Sequence, residues 1–145
     1  MPNRIPEGEP DLPPQIEVAL ISLEKAGQDL VAVEKWLADP EIADEIIGFH
    51  IQQAIEKSLK AVLLGFAIDF PRTHNLGLLI ELCQNNQIQV PSEFLEVDVF
   101  NRFAVQWRYE LLPSTTETTL NRKTAYHLAR QIWDWANKLV NEASA

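Results

Sequence analysis

Residues 42–66, IADEIIGFHIQQAIEKSLKAVLLGF, decide the fold. Ile42, Ile46, Ile47, Phe49, Ile51, Ala54, Ile55, Leu59, Val62, Leu63 and Phe66 recur at helical steps and cover more than one face of the helix they predict. A helix that is apolar on several sides must bury each of them against a neighbour, so this one is expected at the centre of a helical domain. Asp39-Pro40 reads as its N-cap followed by proline at the first helical position, where a missing amide proton costs nothing. Its expected end is Gly65 or Phe66.

Upstream, Pro13-Pro14 opens a first helix over residues 14–38, with Ile16, Leu20, Leu23, Leu30, Val33 and Leu37 at roughly helical spacing. Residues 1–13, with four prolines and several charges, read as a loose arm, and residues 14–145 as one domain. Downstream, Phe70-Pro71-Arg72 breaks the pattern, and Thr73 or Asn75 caps a short third helix carrying Leu76, Leu79, Ile80 and Cys83. Asn85-Asn86 ends it. Pro91-Ser92-Glu93 opens a fourth helix, with Leu95, Val99, Phe100, Phe103 and Trp107 as its stripe, ending near Arg108. Ser114-Thr-Thr-Glu117 has capping-box spacing and predicts a fifth helix to about Glu142, following Leu120, Thr124, His127, Leu128, Gln131, Trp135, Lys138 and Leu139. No strand-like alternation competes. The expected fold is all-α, an up-and-down four-helix bundle with an additional short helix.

A chain of 145 residues, 46% of them hydrophobic, is long enough to bury the core of one domain. Twelve Lys and Arg against twenty-one Asp and Glu give a formal charge of −9, which repels a phosphate backbone unless the basic residues gather on one face. The single cysteine, Cys83, forms no internal disulfide and no thiolate metal cluster, which suits a reducing compartment. Residues 1–10 lack the apolar core of a signal peptide, and the longest apolar runs are too short to span a bilayer. A cytoplasmic protein without a membrane segment is expected.

The stretch Phe49-His50-Ile51-Gln52-Gln53-Ala54-Ile55-Glu56-Lys57-Ser58-Leu59-Lys60-Ala61-Val62-Leu63 resembles the FHxQQAxEKxLKAxL signature of HEPN domains. Pro71-Arg72-Thr73-His74-Asn75-Leu76 resembles the family's "RTHDL" turn, and Arg108-Tyr109 its "RYP" element, with Glu110 where proline is usual. The resemblance implies a helical bundle that often forms homodimers and is often encoded beside a minimal nucleotidyltransferase, in some cases as a toxin-antitoxin pair. It also implies that many active members are metal-independent ribonucleases. Their site is an arginine followed after four to six residues by a histidine, one copy from each protomer, and this subgroup frequently lacks it.

Such a ribonuclease needs a base for the ribose hydroxyl and a cation for the developing phosphorane charge. Only Arg122 and His127 have the spacing, yet five helical residues turn their side chains about 140° apart. His127 lies late in the last helix, and Ala129 stands where some family toxins have tyrosine. Arg122 is therefore read as a surface charge and His127 as an interior or boundary imidazole, and no catalytic residue is assigned. A divergent ribonuclease toxin recruiting Arg102, Arg108 or His127 across a dimer is the alternative, as is a structural dimer without ligand.

Binding chemistry is richer. His50, Gln53, Lys57 and Lys60 advance by three, four and three residues, so they share one helical side and point polar groups at a nucleotide phosphate or a partner carboxylate. The same residues also read as a solvated edge with a Glu56–Lys60 pair, and Gln52, Gln53 and Glu56 as the polar part of a bundle or dimer contact. Arg72 and His74 precede a helix start, where backbone amides favour an anion; a cap or an interhelical hydrogen bond explains His74 as well. Trp107, Arg108 and Tyr109 combine aromatic surface with a cation, a hot-spot composition, and core closure explains Trp107 as well. Three scattered histidines and one cysteine make no metal site, no cofactor is expected, and isolated Gly65 and Gly77 make no phosphate loop. The expected function is a non-catalytic, dimeric partner of a minimal nucleotidyltransferase, toxin-antitoxin-like, with His50, Gln53, Lys57, Lys60, Arg72, His74, Arg108 and Tyr109 as contacts to that partner or to a nucleotide; RNA is a ligand only under the ribonuclease alternative.

Overall fold

A computed structural model describes residues 12–108 and 120–144, with side chains omitted for 105–108. Every regular element in it is helical: α1 (Pro14–Trp36), α2 (Asp44–Gly65), α3 (Leu76–Asn85), a 3-10 helix (Ser92–Phe100), α4 (Asn101–Arg108) and α5 (Arg122–Ala143). The expected all-α class holds.

Helix α2 touches each of the other elements, as its many-sided apolar pattern requires. Ile47, Ile51, Ile55, Leu59 and Leu63 are fully enclosed along it, while α1 supplies Ile16, Ala19, Leu23, Ala26, Leu30 and Val33 to the same core. Trp133 of α5 donates its indole N–H to the Leu23 carbonyl at 2.8 Å, fastening α5 to α1 as well. Phe103 of α4 lies so close to Gly48 that a Cβ there would clash with its ring.

Local signals set most helix ends. Pro14 occupies the first turn of α1. Helices α2 and α3 stop in the same way: Ala67 (φ 55°) and Gln87 (φ 63°) turn left-handed. Ile68 N–H then bonds the Leu63 carbonyl at 2.8 Å and Ile88 N–H the Cys83 carbonyl at 3.0 Å, satisfying carbonyls the helix leaves open.

Four expectations are corrected. Asp39-Pro40 does not start α2; Asp39 Oδ1 accepts from the Glu41 N–H at 2.9 Å, making a turn, and α2 begins at Asp44 after Ala43. Helix α5 begins at Arg122, where Asn121 accepts the Thr124 N–H at 3.1 Å; the Ser114–Glu117 capping box lies outside the described residues. Its buried face is Ala125, Tyr126, Ala129, Ile132, Ala136 and Val140, and the expected row of Thr124, His127, Gln131 and Lys138 is not buried. Alanines let α5 come close to its neighbours, and the larger Leu128, Trp135 and Leu139 pack at the margins of the core.

The expected fourth helix is two elements. Nine residues of 3-10 geometry precede α4, and at three residues per turn the row that faces inward is Phe94, Val97, Phe100. Leu95 and Val99, placed in the stripe on α-helical spacing, are 48% and 63% exposed.

Candidate functional site: polar clusters on the central helix

Among the described residues the buried polar side chains are Gln52, Glu56 and Ser58, all on α2. Ser58 returns its hydroxyl proton to the Ala54 carbonyl at 2.7 Å, a bond within the helix. Gln52 and Glu56, four residues apart, stack on one face and form the base of a network. Gln52 donates to Glu56 Oε1 at 2.9 Å and, more weakly, to the His74 carbonyl at 3.4 Å, while Gln53 donates to Gln52 Oε1 at 2.7 Å. His74 Nδ1 lies 2.8 Å from Glu56 Oε1, and Lys60 Nζ 3.1 Å from Oε2.

Burial pushes the Glu56 carboxyl up, but hydrogen bonds from Gln52, His74 and Lys60 and the Lys60 charge outweigh it and hold the pKa below the usual glutamate value. An ionised carboxylate only accepts, so the proton in the contact belongs to His74 Nδ1. The ring's Nε2 has no protein partner among the described residues, and the side chain is 45% exposed. Arg72, two residues upstream, is exposed and makes no hydrogen bond or ion pair among them either. Lys60 also lies 5.8 Å from the centre of the Phe70 ring.

A second cluster ties α2 to α1. Asp29 of α1 takes Lys57 Nζ at 2.6 Å on one oxygen and His50 Nδ1 at 2.9 Å on the other. The His50 ring meets Trp36 and Phe49 edge to face, each at 5.3 Å between ring centres. Nearby, Ser22 donates to the Lys57 carbonyl at 2.9 Å.

The expected row His50, Gln53, Lys57, Lys60 is thus divided between two acids: His50 and Lys57 meet Asp29, whereas Lys60, through Glu56, and Gln53, through Gln52, belong with His74. The Glu56–Lys60 pair is present. Of Gln52, Gln53 and Glu56, read as the polar part of a bundle or dimer contact, Gln52 and Glu56 meet His74 in the segment before α3, and Gln53 bonds Gln52. Asp29 was missed, since nothing local distinguishes it from the other acids of α1. The Arg108 side chain and Tyr109 lie outside the described residues.

The start of α3 is already satisfied by side chains. Asn75 accepts the Leu78 N–H at 3.2 Å, Asn101 of α4 accepts the Leu76 N–H at 2.9 Å, and Thr73 accepts the Asn75 N–H at 3.0 Å. The Asp98 carboxylate sits directly against Gly77. Those amides are not open to an external anion, and the expectation of an anion on them is corrected.

Arg122 and His127 also differ from expectation. Arg122 is not a surface charge: its Nε bonds Asp44 at 2.8 Å and its two terminal nitrogens reach the carbonyls of Trp36, Asp39 and Ile42 at 3.1, 2.8 and 2.6 Å. His127 is exposed rather than interior, beside the Tyr126 ring. No group of three or more His, Cys, Asp or Glu among the described residues is arranged to hold a metal ion, and no described helix is long and apolar enough to cross a membrane.

No curated protein and no solved structure matches the chain. A family model described as HEPN domain matches residues 19–139, a span from α1 to the last turns of α5 that includes both polar clusters. The central helix, its FHIQQAIEKSLKAVL signature and this match place the chain in the HEPN domain family.

Proposed function

We propose that this chain is a non-catalytic HEPN protein that pairs with itself and with a minimal nucleotidyltransferase, in the manner of a toxin-antitoxin pair in the cytoplasm. His50, Gln53, Lys57, Lys60, Arg72, His74, Arg108 and Tyr109 are its candidate contacts with that partner or its nucleotide. The observation that carries the reading is the engagement of Arg122. Of the six arginines it alone precedes a histidine at the ribonuclease spacing. Its guanidinium is occupied by Asp44 and backbone carbonyls, which leaves it poorly placed to meet the charge of a phosphorane.

The test is RNA cleavage by the purified chain in chelator, with His127→Ala and Arg108→Ala alongside, and capture of a cognate nucleotidyltransferase. No cleavage with stable capture is expected. Wild-type cleavage abolished by either substitution replaces the proposal with a divergent ribonuclease, and absence of capture removes the partner role.

A further inference from the structure

The 3-10 helix and the first turns of α5 do not close on each other. At three residues per turn Glu96 and Val99 stack on one face of the 3-10 helix, and a four-residue step puts Thr124 and Leu128 on one face of α5. Between these faces lies a cavity of about 540 Å³, with Phe100, Phe103 and Ala125 also against it. Those three are buried and Leu128 is half-buried, while Val99 is 63% exposed and stands at the mouth. Ala125 contributes only a methyl group, so the volume stays unfilled from the α5 side.

Polar groups are few around it. Asn121 accepts the Thr124 N–H at 3.1 Å through its carbonyl oxygen, which leaves its amide NH2 as a donor, and the Thr124 hydroxyl makes no hydrogen bond among the described residues. Glu96 and Arg102 are the lining residues with formal charge, one of each sign, so the lining is neutral overall. The Phe100 and Phe103 rings, stacked at 6.3 Å between centres, supply aromatic surface. We infer that this groove is a binding site for a small, uncharged aromatic molecule carrying one or two hydrogen-bonding groups.

Sites for small ligands enclose about 300–1,000 Å³ between mostly apolar walls with a few placed polar groups, and this groove has that size and lining. A charged ligand would leave water for apolar walls that hold no surplus counter-charge, and an anion would meet a chain of formal charge −9 as well. The inference goes beyond the partner role, since none of His50, Gln53, Lys57, Lys60, Arg72 and His74 lines the groove.

The experiment titrates the full chain into a fixed low-micromolar concentration of N-phenyl-1-naphthylamine, an uncharged dye that brightens in apolar surroundings. A parallel arm uses 8-anilinonaphthalene-1-sulfonate, the same ring system with a negative charge. The expected result is a saturable, one-to-one rise with the neutral dye and about tenfold weaker binding of the sulfonate. Thr124→Trp, at an exposed position on the α5 wall, fills the groove and is expected to abolish binding. Val99→Asp places a charge at the mouth and is expected to weaken it about tenfold. Both variants are expected to keep the far-ultraviolet circular dichroism and melting curve of wild type.

Absence of a saturable rise overturns the inference. So does full affinity in a folded Thr124→Trp chain, or equal binding of the two dyes, which would mark a surface that takes any apolar probe. Sedimentation of the same samples tests the other occupant. A groove covered by a second copy would exclude the dye as the chain self-associates, with Thr124→Trp breaking the association, and that result also overturns it.

Discussion

Arg122 and Asp44, seventy-eight positions apart, are joined by a 2.8 Å bond between the guanidinium Nε and a carboxylate oxygen, across the turn that links α1 to α2. The same guanidinium collects carbonyls from Trp36, Asp39 and Ile42, so one side chain at the first turn of α5 holds the chain reversal between two other helices. A carboxylate and three carbonyls in this arrangement are acceptors that match arginine's planar fork of five donors.

Replacing Arg122 with alanine removes these bonds together and leaves partly buried carbonyls without a partner. A loss of about 2–4 kcal/mol in urea unfolding is expected. Arg122→Lys is expected to recover less than half of it, because an ammonium cannot span the same acceptors. Equal stability of wild type and Arg122→Ala would show that the turn is held without it.

The 3-10 segment predicts an asymmetry between neighbours of similar chemistry. Phe94→Ala is expected to cost about 3–5 kcal/mol as a buried aromatic lost from the core, whereas Val99→Ser, at an exposed position, is expected within about 0.5 kcal/mol of wild type. The reverse order in denaturant unfolding would mean that the segment is wound as an α-helix, with Leu95 and Val99 inward. The sequence carries both patterns, since Phe94, Val97, Phe100 and Phe103 recur every three residues while Leu95, Val99 and Phe103 recur every four. Periodicity alone does not choose between them; the depth of the core beneath Phe94 and Val97 does.

Glu56 predicts a pH dependence of known sign. Its pKa in the folded chain lies below the ordinary value of 4.5, because three hydrogen-bond donors and the Lys60 charge prevail over burial. Its ionised form therefore stabilises the fold above that ordinary value, and the contribution is lost as pH falls through the folded-state pKa. Unfolding of wild type and Glu56→Gln measured from pH 7 to pH 3 is expected to show wild type ahead at pH 7 and the gap closing below about pH 4.5. A gap independent of pH would assign the effect to packing.

Cys83 is fully buried and desolvation pushes its thiol up to about 12. The native chain is expected to resist thiol reagents at pH 8, with modification proceeding at the rate of opening and becoming immediate in denaturant. Rapid labelling of the folded protein would contradict the burial.

Local chemistry in the sequence determined much of this protein. The helical class, the central place of α2, the first turn of α1, the ends of α2 and α3, the Asn75 cap and the Glu56–Lys60 pair depend on residues within about one turn of each other, where spacing is geometry. The family resemblance was legible in the same stretch. Tertiary structure alone decided which face of α5 is buried, because alanines carry a weak hydrophobic signal yet allow the closest approach. It also decided that His50 and Lys57 belong to Asp29 while Lys60 and His74 belong to Glu56, and that Arg122 closes a turn seventy-eight residues away. These partners meet only when separate helices pack, and a charge in one helix carries no local mark of the charge it will face in another.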